Sequence, residues 1–114
     1  MVSNDDFAIY NQYSTQLSNI NAQKTQIRML QDSTKNAIEE LKQSKEDHAF
    51  KNLGFVLLKV EKSKLIKDLE AEIETLNIRL KTLERSEDVI TKKLKELQAK
   101  LDAEMAKQNT KKEE

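Results

Sequence analysis

Few residues in this chain are equipped for chemistry. His48 is the only histidine, and it sits in the polar run "SKEDHA" with no cysteine anywhere in the chain. General acid–base catalysis needs a titratable group within hydrogen-bond reach of a second one, and His48 has no evident partner, so it reads as a solvated loop residue. Asp and Glu number 20, but they fall on helical faces at solvent spacing, not as a converging pair. Scattered carboxylates of that kind make chance calcium contacts at most. One glycine, Gly54, cannot build a phosphate-cradling loop. The absence of Cys removes disulfides, thiolate chemistry and cysteine metal sites. The expectation is a chain that is not an enzyme and takes no cofactor or metal.

The elements that would position any site are helical. The chain has 114 residues, enough for one ordinary domain, of which 37% are hydrophobic, 4% aromatic and 35% charged. There is no proline, so Gly54 is the only strong punctuation. Abundant Lys, Glu, Leu, Gln and Ala without Gly or Pro is the composition of long helices. Lys and Arg match Asp and Glu at 20 each, with a pI near 6.6. That balance argues against nucleic acid or an anionic membrane as partner, since both call for a basic footprint. The opening "MVSNDDFAIY" lacks the apolar core of a signal peptide. No run approaches the roughly 20 apolar residues that span a bilayer. A cytoplasmic protein is expected.

The second arm carries a heptad. Ile66, Ile73, Leu80, Leu94 and Leu101 occupy position a; Leu69, Leu76, Leu83, Ile90 and Leu97 occupy d. Glu87 interrupts a, and Glu104 ends d. An apolar face two residues wide per heptad is the seam of a coiled coil. Asp88 with Lys92 and Glu96 with Lys100 are spaced as i,i+4 pairs. The first arm repeats the period more weakly, with Tyr10, Leu17, Lys24, Gln31 and Ile38 at a, and Tyr13, Ile20, Ile27, Thr34 and Leu41 at d. Leu30 and Ala37, at g, are expected to widen the stripe where Gln31 and Thr34 weaken it. This arm should span about 6–46, its start near Asp5 or Asp6 suiting the positive end of the helix dipole. The second should span about 62–108, leaving a disordered tail from about 109 to 114. At about 1.5 Å per residue, each arm would be on the order of 60–70 Å long.

Folded back on each other with a constant index sum, the arms bring Leu41 near Leu69, Ile27 near Leu83 and Tyr13 near Leu97. Lys24 and Glu87, the two charged a positions, then fall in neighbouring layers. Either they pair and set register, or both side chains reach out to solvent.

Between the arms lies "AFKNLGFVLLKV", residues 49–60, an apolar run without helical spacing. A two-residue loop at Gly54-Phe55 puts Gly at the first central position, where a type II′ turn needs φ > 0. Leu53 then opposes Val56. One face carries Ala49, Lys51, Leu53, Val56, Leu58 and Val60; the other carries Phe50, Asn52, Leu57 and Lys59. A helix kinked at Gly54 is the alternative. An isolated two-stranded hairpin is marginal in water, and its open edges invite pairing. A hairpin here implies assembly with others.

The order of these features resembles the prefoldin family, in its β-type subunits, over nearly the whole chain. "YNQYSTQLSNINAQKTQI" is similar to the family's Gln-rich opening helix, through Gln12, Gln16, Gln23 and Lys24. "FKNLGFVLLK" resembles the family's hairpin through Phe50, Lys51, Leu53, Gly54, Val56, Leu57 and Leu58. "IETLNIRLKTLERSE", Ile73 to Glu87, resembles the second helix of archaeal β subunits, and one hairpin rather than two marks the β type. The non-proline loop "SKEDHA" and Phe55 in the turn depart from the pattern.

The resemblance implies a mainly α fold, in which two long helices form an antiparallel coiled coil joined by one β-hairpin that assembles into an intersubunit β-barrel. It implies an ATP-independent co-chaperone, a hetero-hexamer of α-type and β-type subunits that holds unfolded client proteins between its arm tips and passes them to a group II chaperonin. The oligomer interface would use Phe50, Leu53, Gly54, Val56, Leu57, Leu58 and Val60. At the ends of the arms, Phe7, Ile9, Tyr10, Tyr13, Leu97, Leu101 and Met105 either complete the seam or present apolar surface to a client. Tyr13 and Leu97 favour the seam; Phe7, Ile9 and Met105 favour the client. A structural coiled-coil adaptor without holding activity would explain the heptads equally well, but gives the hairpin no role.

Overall fold

The structure is a computed structural model that describes residues 4–113, with side chains described for 4–107. Its elements run α1 (Asn4–Gln43), β1 (His48–Asn52), β2 (Leu57–Glu61) and α2 (Lys62–Glu113). Two long helices with one antiparallel hairpin between them are the expected fold. The limits differ in detail. α1 opens at Asn4, with Asp5 and Asp6 in its first turn. It closes at Gln43, not near 46, because Ser44 is used by the turn that follows. The Ser44 hydroxyl accepts the Glu46 amide at 3.2 Å, and the Ser44 carbonyl accepts Lys62 Nζ at 2.8 Å. A lysine ammonium at a helix C-terminus also opposes the negative end of the dipole. α2 continues to Glu113, past the expected end near 108, through residues that favour helix and include no Gly or Pro. The tail expected to be disordered is thus helical backbone to Glu113, while its side chains and Glu114 lie outside the described residues.

The hairpin pairs His48 with Glu61, Ala49 with Val60, Phe50 with Lys59, Lys51 with Leu58 and Asn52 with Leu57. This is the register that the Gly54-Phe55 loop dictates, and the kinked helix is ruled out. Leu53 N donates to the Val56 carbonyl at 2.9 Å, closing the turn. Gly54 has φ +96°, and among the described residues no other has a positive φ. A positive φ at the first central residue alone fits type II′. Asn52 Oδ1 accepts the Gly54 amide at 2.9 Å, holding the glycine in place. His48, expected in a loop, is the first residue of β1 and is solvent-exposed. The base is tied by Lys62, whose amide donates to the Asp47 carbonyl at 2.9 Å. β2 passes into α2 with no residue between them.

The fold groups into two units, Thr25–Lys81 and the flanking Met1–Lys24 with Thr82–Glu114. In the flanking unit Asp6 meets Lys100 at 3.4 Å and Lys24 meets Glu87 at 3.0 Å. In the other, Gln31 donates to Asn77 and Lys42 lies 3.8 Å from Glu70. In each, position rises along α1 as it falls along α2, so the helices run antiparallel. The a and d positions are buried or half-buried throughout, and Ile20 and Leu101 in the flanking unit, with Ile27, Ile38 and Leu76 in the other, form the core. Leu30 does not widen the stripe as expected, being 46% exposed. Ala37, the other g residue expected to do so, is half-buried; a long g side chain such as Leu30 can lie along the flank of a two-helix seam. Lys100, expected beside Glu96, reaches across to Asp6.

Three polar residues of α1 are buried in the seam: Lys24, Gln31 and Thr34. Buried polar groups need partners, and each has one. Lys24 Nζ holds Glu87 Oε2, with only 10% and 28% of the two side chains exposed. Gln31 Nε2 donates to Asn77 Oδ1, and Thr34 Oγ1 donates to the Leu30 carbonyl at 2.7 Å. Lys24 and Glu87 thus pair instead of reaching out to solvent.

Two outcomes are expected from this geometry. Lys24→Ala or Glu87→Ala alone strands a partly buried charge and should destabilise by about 1–3 kcal/mol, whereas the double variant should lose less than the sum. Denaturant titration of the four proteins measures the coupling; strict additivity would remove the ion pair as a register element. Gly54→Ala meets open space around its Cβ, so its cost is backbone strain alone, about 1–2 kcal/mol. Thermal unfolding should register that loss at the hairpin while helical circular dichroism at low temperature stays unchanged.

Candidate functional site

Among the described residues no three His, Asp or Glu gather to hold a metal ion, and no helix is long and apolar enough to cross a membrane. What the fold leaves open is apolar, on two surfaces that sequence reasoning had singled out.

The first is the hairpin. Phe50, Leu53, Val56, Leu57 and Leu58 are all exposed, and Val60 is half-buried beside Ala49. Both faces of the ribbon carry them. Strand alternation sends Leu53, Val56 and Leu58 to one side, Phe50 and Leu57 to the other. Neither side is closed by the chain's own helices, because the seam beneath offers only two side chains per heptad. At the base, Ala37, Leu41, Ala49, Phe50, Leu65 and Leu69 line a shallow groove between the helices and β1, with Glu40 and Lys51 at its rim. Phe55, at the second turn position, is 103% exposed and touches nothing that could bury it.

The second surface lies where the N-terminal turns of α1 run beside the C-terminal turns of α2, within the flanking unit. Here the expected residues divide. Leu101 is 5% exposed and belongs to the seam. Tyr10, Tyr13 and Leu97 are half-buried and serve it in part. Phe7, Ile9 and Met105 are exposed, at 49%, 39% and 53%. The heptad explains the division. Phe7 and Met105 both occupy e, which in an antiparallel pair flanks the same side of the seam, and their positions fall in nearly the same layer. Ile9, at g, lies on the other flank. It shares a shallow groove with Tyr13, Leu97 and the stems of Lys93 and Lys100. Asp6 and Lys100 stitch the helices together at this level.

Sequence reasoning passed over three exposed apolar residues, Met29, Ile78 and Val89. Met29 and Ile78 fall at f and Val89 at c, the outward positions of the heptad, so the period itself could have marked them. It also passed over the Lys62 ties and the Asp6–Lys100 pair. No periodic signal announces these, because each joins residues distant in sequence through long, flexible side chains.

Comparison with known proteins agrees with this architecture. Residues 5–108 match the family model described as Prefoldin subunit. The prefoldin subunit beta of Thermococcus gammatolerans is 36% identical over 94 residues, covering 82% of this chain and 80% of that one. The prefoldin subunit beta of Archaeoglobus fulgidus is 37% identical over 91 residues, covering 79% and 78%. The crystal structure of the prefoldin beta subunit from Thermococcus strain KS-1 superposes with a TM-score of 0.78 at 31% identity, covering 87% of this chain and 88% of that one. By its heptad seam, its single hairpin and these likenesses, the chain belongs to the prefoldin family, among the beta subunits.

Proposed function

We propose that this chain is a β-type subunit of a hetero-hexameric, ATP-independent co-chaperone. In this reading its hairpin joins those of α-type and other β-type subunits in an intersubunit β-barrel. The helix ends hold unfolded client proteins, prevent their aggregation and release them to a group II chaperonin, in the cytoplasm. Family membership supports the chaperone role. The observation that carries the client-binding part is the exposure of Phe7, Ile9 and Met105 beside a seam that takes up Leu101.

The energetics suit reversible capture. An apolar side chain contributes roughly 1.5–3 kcal/mol when fully buried, so three of them on one arm give weak binding. Several arms acting on one client raise the effective concentration, and avidity gains of about 10²–10⁴ follow without a nucleotide. Met105 adds a flexible, polarizable side chain that adapts to many partner shapes. Such a surface discriminates folded from unfolded proteins by exposed apolar area alone. Balanced net charge keeps nucleic acid out of the partner set.

The test is Phe7→Ser, Ile9→Ser and Met105→Ser combined, positions whose exposure spares the fold. Mixed with an α-type subunit, the variant should form a complex of unchanged native mass. Its suppression of light scattering from a denatured test protein should fall several-fold. Full suppression by the variant would refute the client-binding reading. A plain dimer with no suppression in the unaltered protein would favour the adaptor instead.

A further inference from the structure

From Phe7 to Gln23, α1 carries no charged residue, in a chain of which 35% is Asp, Glu, Lys or Arg. The outward positions of this stretch are filled by Asn, Gln, Ser and Thr instead. Helix stability does not account for that choice. Asn, Ser and Thr are weaker helix formers than Lys or Glu, and an uncharged face forgoes the i,i+4 ion pairs that support an exposed helix. Four of the amides stand in line. Gln12, Gln16, Asn19 and Gln23 follow Ile9 at alternating intervals of three and four residues, so all five fall within about an 80° arc of the helix. All five are exposed. Among the described residues the four amides have no hydrogen-bond partner, whereas Gln31 donates to Asn77 and Gln98 to Asp102.

We propose that this ladder binds the main chain of an extended, unfolded polypeptide, running on from a client side chain seated at Ile9. The proposal rests on the client-binding reading above and deepens it, giving that site a polar half. The chemistry of the ladder suits this occupant. A side-chain amide both donates and accepts, and each residue of a main chain carries one N–H and one C=O to be matched. A folded protein has paired those groups internally; an unfolded one offers them. Laying a peptide over Lys or Glu would strip water from a charge, at far greater cost than covering an amide. The dimensions agree as well. Ile9 to Gln23 spans about 21 Å at about 1.5 Å per residue, the length of roughly six extended residues. At one end of the ladder, Ile9 shares its shallow groove with Tyr13 and Leu97. The apolar contact and the amides thus form one continuous track within the flanking unit. Main-chain contacts carry no sequence preference, so the ladder adds affinity without narrowing the client range.

The experiment replaces all four amides, as Q12A, Q16A, N19A and Q23A together, in the complex formed with an α-type subunit. Alanine is the best helix former, so native mass and helical circular dichroism should be unchanged. The probe is a fluorescent, end-blocked peptide of Ser, Ala and Leu in two forms, one unmodified and one N-methylated at alternate main-chain amides. Anisotropy titration should show the unmodified peptide binding the variant about tenfold more weakly than the unaltered complex. The methylated peptide should bind both complexes with that same reduced affinity. If the variant holds the unmodified peptide as tightly as the unaltered complex does, or if methylation changes nothing, the ladder is not a main-chain site; the apolar reading of the helix ends then stands on its own test. An unaltered complex that suppresses aggregation yet binds neither peptide would also overturn the ladder alone. One that does neither would overturn both readings.

Discussion

Everything in this molecule follows from how narrow its seam is. Two side chains per heptad, one at a and one at d, lock α1 to α2. A wider apolar stripe would have let the helices wrap around a core and close it. A two-wide stripe closes only the line between two helices, so no surplus remains to cover anything else. The hairpin is consequently left bare on both faces, and apolar residues just off the seam stay in solvent. Exposure here is a geometric result of the coiled coil, and both candidate surfaces of the chain inherit from it.

The seam is apolar enough to hold and polar enough to be particular. Lys24, Gln31 and Thr34 interrupt it in succession; Thr34 is satisfied within its own helix by the Leu30 carbonyl, whereas Lys24 and Gln31 are satisfied by Glu87 and Asn77, partners that only one alignment supplies. Pairing α1 with another α1 would set lysine near lysine at the charged layer. Pairing it one heptad out of step would face Lys24 with leucine. Both alternatives leave a buried charge uncompensated, which is far costlier than the modest strength of the ion pair itself. Polar layers of this kind limit the wrong pairings available to two long, repetitive helices.

Much of this was legible in the sequence because periodicity and a single glycine carry it. The heptad from Ile66 to Leu101 needs no structure to be read, and it set Lys24 and Glu87 in neighbouring layers while leaving open whether they pair or reach to solvent. Gly54 set the hairpin register to the residue, since only one position could supply the turn. Legibility ended where long side chains choose between neighbours. Lys100 stands four residues after Glu96, yet it reaches Asp6 on the other helix, and Leu30 points along the flank of the seam it was expected to broaden. Leu101 and Met105 are one turn apart and equally apolar, but one is buried and the other is not. What separates them is the angular difference between a and e, which becomes decisive only when the partner helix is in place.

The junction at Glu61 and Lys62, where strand turns into helix without a spacer, bears on how such a chain can change over time. One inserted residue there would rotate the whole heptad stripe of α2 by about 100° relative to the ribbon. The amide and ammonium of Lys62 would both lose their carbonyl partners in the same step. On the other side, Ser44–Asp47 is a loop, and loops absorb insertions at little thermodynamic cost. Length variation among descendants of this sequence should therefore gather before β1 and be absent after β2. The two ends of one small ribbon thus face very different evolutionary constraints.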